Sequence, residues 1–390
     1  MSAYTYTFVN LTAQTVIGAL PLQGVAFNRP LNGPGAFTGK IPLGDTEIGA
    51  LDPIGMTSPA KVAVYVDRDG TLLWGGPLWG RTYDSTTHML TLNASEFETY
   101  FARRLITTTY APTGVDQLTI AQTLINTAQA VTGGSVGVIV GTSTCGVYQS
   151  FTWNGYELKT VQTALKDIGQ QAGGFDWSFD PAYTAGVPST YFNTFYPHKG
   201  TPNSVNSLLF ELPGNVVSYT LPEDGAAIDV TSWMTGSGSA ASQIQTSATS
   251  GTLLGFGYPL LESVYSDSSI VDLSTLGNAA SARQAAANNP VSLLTMIARA
   301  DQDPVLGSYA AGDEIRVRIT DERWPASQAG GAGLEMLARI TDVKVTPPDG
   351  QTAESVQITA NVSPALPGVA FTDQAGIGYG RGAYGEGIYA

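Results

Sequence analysis

Charge is scarce in this 390-residue chain. Asp, Glu, Lys and Arg together make 13% of it, against the roughly 25% usual in globular proteins. Basic residues are scarcer than acidic ones, 18 against 32, and they cluster nowhere beyond Arg103-Arg104. A net charge of −14 without a basic patch excludes a protein that grips phosphate backbones. An acidic surface does suit DNA that slides past without adhering. Cysteine occurs once, at Cys145, which excludes an internal disulfide and removes any argument for an oxidising compartment. The two histidines, His88 and His198, and the single Cys are at no ligand spacing, so a His/Cys zinc site is excluded, a carboxylate-only Ca²⁺ or Mg²⁺ site has no support, and no metal or cofactor is expected. No apolar run approaches 18 residues, so no stable membrane insertion is expected. The opening MSAYTYTFVN has neither the basic nor the apolar region of a signal peptide.

Ser, Thr, Gly and Pro stand where charge is missing, around a 43% hydrophobic fraction. That composition suits β structure and burial against partners, and the length allows two or three domains. In the first hundred residues VAVYV (62 to 66), a turn at Arg68-Asp69-Gly70 and TLLWGG form a hairpin signal. HMLTLNA (88 to 94) reads as another strand, and SEFETYFARRL (95 to 105) as a short helical turn capped by Ser95 with Glu98 three residues on. Residues 111–207 change pattern. Ile120, Leu124, Ala128 and Val131 have helical spacing, with Asp116 as cap and Gly133 as stop, and Leu158, Val161, Leu165, Ile168 and Ala172 share a second helical face. GGFDWSFD then alternates Phe175, Trp177 and Phe179 with Asp176, Ser178 and Asp180, as a half-buried strand does.

Strands resume with SLLFELP and NVVSYTLP (207 to 222). Residues 230–261 carry no charge and fit either a linker or an ordered β-arm. STLGNAASARQAAANN (274 to 289) is an Ala-rich helix with Ser274 as cap and Pro290 as end. The expected fold is mainly β with α+β insertions: two tube-type β-barrel domains plus a small inserted α/β domain. The first barrel covers 1–110 and is completed by 208–235, the insertion covers 111–207, the second barrel covers 236–363 with the helix 274–289, and a Gly/Tyr-rich tail covers 364–390. That tail cannot build a core of its own. Its Tyr379, Tyr384 and Tyr389 suit docking on a partner, and its composition fits disorder in the isolated chain equally well.

The patterns that might carry chemistry each have a plainer reading. Gly133-Gly134-Ser135-Val136-Gly137 has the form of a nucleophile elbow, with Asp176 or Asp180 and then His198 in hydrolase order. An elbow needs a strand before the Ser and a helix after it, and here the order is reversed, so a helix stop is expected. Asp67-Arg68-Asp69-Gly70 lacks the remaining acidic positions of a calcium loop and reads as a hairpin turn. Asp313-Glu314 and Asp321-Glu322 are adjacent pairs whose side chains point to opposite faces, which makes them strand-end charges and not a glycosidase dyad. No catalytic residue is assigned.

The stretch LWGGPLWGR (73 to 81) resembles a glycine-rich ligand loop, yet Arg81 is its only convergent polar group. Trp74 and Trp79, with Gly75-Gly76-Pro77 between, are expected on a bent or bulged strand whose indoles cover the core or a subunit contact.

Taken in order, the DG hairpin, the LWGR strand and ETYFARR resemble the opening domain of phage tail-tip hub proteins, notably the minor tail proteins of actinobacterial siphophages. The likeness continues through ELKTVQTALKDIGQQAGGFDWSFD, the Ala-rich helix before Pro290, and the strands AAGDEIRVRITDERWP and ARITDVKVTP, and covers most of residues 60–363. Residues 1–60 match no known pattern, and no internal barrel repeat is visible as self-similarity. The resemblance implies a virion protein related to contractile-tail baseplate hubs. Three copies would form a ring of six barrels that adapts the six-fold tail tube to a three-fold tip. Its implied partners are its own copies as a homotrimer, the distal tail protein ring, the C-terminus of the tape-measure protein, tail-fibre or tip proteins, and DNA only in passage. Assembly in the host cytoplasm and a place at the tail tip follow. Long hubs of this kind add a peptidoglycan hydrolase or receptor-binding region. This sequence stops near residue 363 plus a tail and has no catalytic constellation, so no enzyme is expected. The competing expectations are a glycan- or receptor-binding module using Trp74 and Trp79, and a tail-associated hydrolase using Ser135 and His198.

Overall fold

The computed structural model describes residues 2–169, 173–222, 225–266, 270, 272–287, 293–325, 333–350 and 353–362. The fold is mainly β. A first body is built from β1 (Tyr4–Asn10), β2 (Val16–Ala19), β3 (Gln23–Pro30), β4 (Ala36–Pro42), β5 (Val62–Arg68), β6 (Thr71–Asp84) and β7 (Met89–Ser95). Two one-turn helices, α1 (Thr46–Gly49) and α2 (Pro53–Met56), bridge β4 and β5, and α3 (Glu98–Phe101) follows β7. The strands lie in the order β3-β4-β7-β6-β5-β1-β2. The DG turn joins β5 to β6, with Asp69 and Gly70 at positive φ and Asp67 accepting the Gly70 N–H at 2.8 Å.

The apolar run VAVYV is explained by burial on both sides. Val62, Val64 and Val66 face the barrel interior, while Ala63 and Tyr65 join the core of the neighbouring insertion. A strand covered on both faces reads as a continuous run and not an alternation.

That insertion comprises β8 (Val115–Asp116), α4 (Gln117–Ala130), β9 (Val138–Val140), β10 (Tyr148–Gln149), α5 (Val161–Gly169), β11 (Asp176–Thr184) and β12 (Val187–Phe195). β11, β12 and β9 make a three-stranded sheet, and β8 pairs with β10. Asp116 caps α4 through the N–H groups of Leu118 and Thr119, and also accepts those of Cys145 and Gly146, which ties the following loop to the helix start. Three local expectations change, and Ala172 lies outside the described residues. Val131 follows the end of α4 at Ala130 in extended conformation and is exposed. Leu158 lies outside α5, exposed and in the left-handed region at φ 50°, because the helix begins only at Val161. Ser95 ends β7 and caps nothing; Glu98 turns inward to the indole of Trp177 and the amide of Gln162 instead of back along the helix.

The second body follows: α6 (Asn203–Asn206), β13 (Leu209–Leu212) and β14 (Val216–Thr220), then β15 (Thr231–Thr235), β16 (Gln245–Thr249), α7 (Gly251–Gly255), β17 (Glu262–Ser266), α8 (Leu273–Ala286), β18 (Leu293–Ala298), β19 (Glu314–Ile319), β20 (Leu334–Thr346) and β21 (Ser355–Val362). Residues 208–220 do not complete the first barrel. β13 pairs with β19 and β14 with β18, and Leu208, Phe210 and Val216 bury among Ile315, Met296 and Ala298. Their apolar pattern required a sheet but carried nothing to name which one. The order β13-β19-β20-β21-β18-β14 nearly closes on itself. Asn215 bridges its ends, donating to Leu209 O and Asp303 O and accepting the N–H of Glu211.

Residues 231–266 are neither linker nor part of the second barrel. They form their own sheet, β16-β15-β17, covered on one face by α8 through Met234, Leu276 and Ala280. α8 starts one residue earlier than expected and stops at Ala286, and the Ser274 N–H is received by Asp272, which takes the capping role assigned to Ser274. Pro290 lies outside the described residues.

The long strand β20 joins the two bodies. It pairs with β19 and β21 in one and with β3 in the other, so 13 strands form one continuous sheet over a shared core.

Candidate functional site

The glycine-rich stretch LWGGPLWGR lies in β6, where the strand changes partner. Residues up to Pro77 pair with β5, and those from Leu78 onward pair with β7. The glycines serve this corner. A Cβ on Gly76 would fall 2.1 Å from Ser95 O, and one on Gly75 would fall 2.5 Å from the Tyr65 ring. A register shift between Leu78 and Gly80 places Trp79 at a bulge. Trp74 is fully buried, donates its indole N–H to Asn28 O at 3.1 Å and stacks on Phe37. Trp79 is half-buried, donates to Thr99 Oγ1 at 2.7 Å and lies beneath the Arg103 guanidinium. Arg81 reaches Ile54 O and Thr57 O, carbonyls at the end of α2. These three residues are therefore not brought together around a common ligand. Tyr379, Tyr384 and Tyr389 lie outside the described residues.

The hydrolase candidates are also separated by role. Ser135 is exposed between α4 and β9, and its hydroxyl accepts the Gly137 N–H. His198 faces Asp176 at 4.0 Å, and Asp176 is already engaged by Arg339 and by the N–H of Lys199. In the DRDG turn, Asp67 takes the Tyr183 hydroxyl and Asp69 takes the Ala3 N–H. Asp313 accepts the N–H of Thr201 and Ala310, and Glu314 that of Asn203. Asp321 binds the Tyr219 hydroxyl and the N–H of Trp324, whereas Glu322 is exposed. Among the described residues no group of three His, Cys, Asp or Glu could hold a metal ion.

The strongest polar cluster lies where the first insertion meets both barrels. Arg29 of β3 bonds to Glu96 at 2.8 Å, to Asp180 of β11 at 2.7 Å and to Phe179 O. Arg339 of β20 holds Asp176 together with Gly312 O and Lys199 O. Burial alone pushes the Asp180 carboxyl up, but the Arg29 guanidinium and the Lys199 ammonium outweigh it and hold it well below the usual carboxylate range. Burial pushes Glu96 up and Lys199 down. A cavity of about 200 Å³ opens beside the cluster, lined by Arg29, Glu98, Lys199, Leu306, Tyr309 and Val345 among others. Sequence reasoning placed Asp176 and Asp180 on a polar strand face and missed what that face meets. Two carboxylates flanking an alternating strand, in a chain this poor in charge, were the available signal.

This geometry locks the insertion to the barrels, and comparison with known proteins finds the same architecture elsewhere. No family model and no curated protein matches the chain. Among solved structures, the 43 kDa tail protein of prophage MuSo2 from Shewanella oneidensis is similar over 92% of this chain and 98% of that one, with a TM-score of 0.62 and 11% identity. A tail protein from Neisseria meningitidis covers 92% of this chain and 96% of its own, at a TM-score of 0.58 and 11% identity. The prophage tail protein gp18 from Listeria monocytogenes covers 92% and 95%, at 0.53 and 11%. The chain shares its fold with these tail proteins over 92% of its length.

Proposed function

We propose that the protein is a structural component of a phage-type tail, forming a trimeric hub at the tail tip. The observation that carries this reading is the match of a whole two-barrel, two-insertion architecture to a prophage tail protein over 92% of this chain and 98% of that one. Six barrels from three copies would adapt a six-fold tube to a three-fold tip, around the path of the tape-measure protein and of DNA. The acidic balance suits such a conduit, since a like-charged wall does not retain DNA. Its neighbours in this reading are the distal tail ring, the tape-measure C-terminus and the tip or fibre proteins. In this reading the role is structural and non-enzymatic.

Burial of Trp74 weighs against the reading in which Trp74 and Trp79 form a glycan site. Antibody-gold labelling of the particle tests the proposal. Label confined to the distal end of the tail is expected, and label on the capsid or along the tube would contradict it.

A further inference from the structure

Among the described residues, one face of the second insertion joins no apolar cluster, although Thr231 at its edge is buried. α8 packs on the side of the β16-β15-β17 sheet that carries Met234, Ala248 and Tyr265. Side chains alternate across a strand, so the opposite side is fixed by the pairing register. Its central row is Ser247, Trp233 and Val264, flanked by Thr249, Thr231 and Glu262 on one side. On the other side lie Gln245, Thr235 and Ser266. Strand spacing and rise make this a grid of roughly 10 Å by roughly 13 Å with an indole at its centre.

The residues on β16 and β17 that belong to the grid are exposed, Val264 to 70%. Trp233 is fixed by donating its indole N–H to Glu262 Oε1 at 2.8 Å. Hydroxyls are paired across the strands, Thr231 with Thr249 at 2.9 Å and Thr235 with Ser266 at 3.0 Å.

We propose that this face is a binding platform for a neutral saccharide. Charge complementarity selects that occupant. The grid carries no cation, its one carboxylate accepts the Trp233 indole N–H, and residues 230–261 contain no Asp, Glu, Lys, Arg or His. A nucleic acid or phosphorylated ligand would find nothing to neutralise it. A protein interface would be expected to place several large apolar or Arg anchors at its centre, whereas only Trp233 and Val264 are apolar here. An indole plate surrounded by hydroxyl and amide groups matches the apolar face and polar rim of a sugar ring, the aromatic offering a broad apolar surface and a polar tip. The proposal does not depend on where in a particle the chain resides.

Isothermal titration calorimetry of the full chain with cellotetraose, maltotetraose and the N-acetylglucosamine tetrasaccharide tests it. Binding of at least one is expected, weakened tenfold or more in Trp233→Ala and less in Trp233→Phe. Ser247→Glu and Val264→Lys, at exposed positions beside the indole, should weaken the same binding with circular dichroism unchanged. Absence of binding to all three sugars, or binding unaltered in Trp233→Ala and Ser247→Glu, would overturn the platform. So would self-association or phospholipid-vesicle binding lost in those variants while no sugar binds. None of these results bears on the tail location, which gold labelling reads separately.

Discussion

The two insertions are held in different ways. The first shares a core with the outer face of the first barrel. Phe97 and Phe101 after β7 and Tyr65 of β5 pack with Phe179 and Phe192, and the Arg29, Asp180 and Arg339, Asp176 contacts surround that core. The second has two small clusters of its own, centred on Val230 and Leu253 and on Leu276 and Ala280, and among the described residues one sheet face joins neither. Large apolar contact with partly buried ion pairs makes the first insertion part of the barrel's cooperative unit. The second depends on local packing and is free to present a surface.

Truncation of the shared core should separate these cases most sharply. Phe179, stacked on Phe101 with ring centroids 5.5 Å apart, is buried at the heart of the first interface. Phe179→Ala is expected to cost about 3–5 kcal/mol, read as a lowered midpoint in urea for the whole barrel signal. Equal loss without any change in barrel unfolding would show that the insertion is only loosely attached. Leu276→Ala, at a fully buried position in the second insertion, should cost about 3 kcal/mol. Hydrogen exchange should then rise within 231–286 and remain unchanged in β19–β21.

The ionic contacts give a smaller effect with a defined pH dependence. Asp180→Asn should destabilise by about 2 kcal/mol at pH 7, the scale of a charge-assisted hydrogen bond. The folded carboxyl lies below its ordinary value, so its contribution is complete above the unfolded pKa of roughly 3.9 and is lost as pH falls toward the folded value. Glu96 is shifted upward and acts in the opposite sense. The gap between wild type and Asp180→Asn should therefore shrink below roughly pH 4, and a gap that stays constant to pH 2 would rule out this assignment. Trp79→Ala is expected to give the smallest change, about 1 kcal/mol, because the ring is half-buried and its contacts are Thr99 and Arg103. A loss as large as that of a core aromatic would place Trp79 in the folding core.

Local features were readable in the sequence. The DG hairpin and the Asp116 cap follow from turn chemistry over a few residues and occur as such; the Phe175, Trp177, Phe179 face is buried as its periodicity indicates, but Asp176 between them is buried too and the strand begins only there. Partner choice was not readable. β13 and β14 carry the pattern of a half-buried strand, and any sheet with an apolar face accepts that pattern, so their assignment to the first barrel failed on a long-range pairing. LWGGPLWGR was recognisable as a bent strand, but the reason for each glycine lies in Ser95 and Tyr65, which are distant in sequence. The polar junction stayed hidden because Arg29, Asp176 and Arg339 come from three separate segments. The face around Trp233 was masked by composition, since Thr, Ser and Gln without charge read equally well as a linker.

A cryo-electron microscopy reconstruction of the assembled particle tests the central claim most directly. The account predicts three copies around the tail axis at the distal end, with their six barrels forming a ring continuous with the tube. Density for the chain elsewhere on the particle, or arranged with a symmetry other than three-fold about that axis, would contradict it.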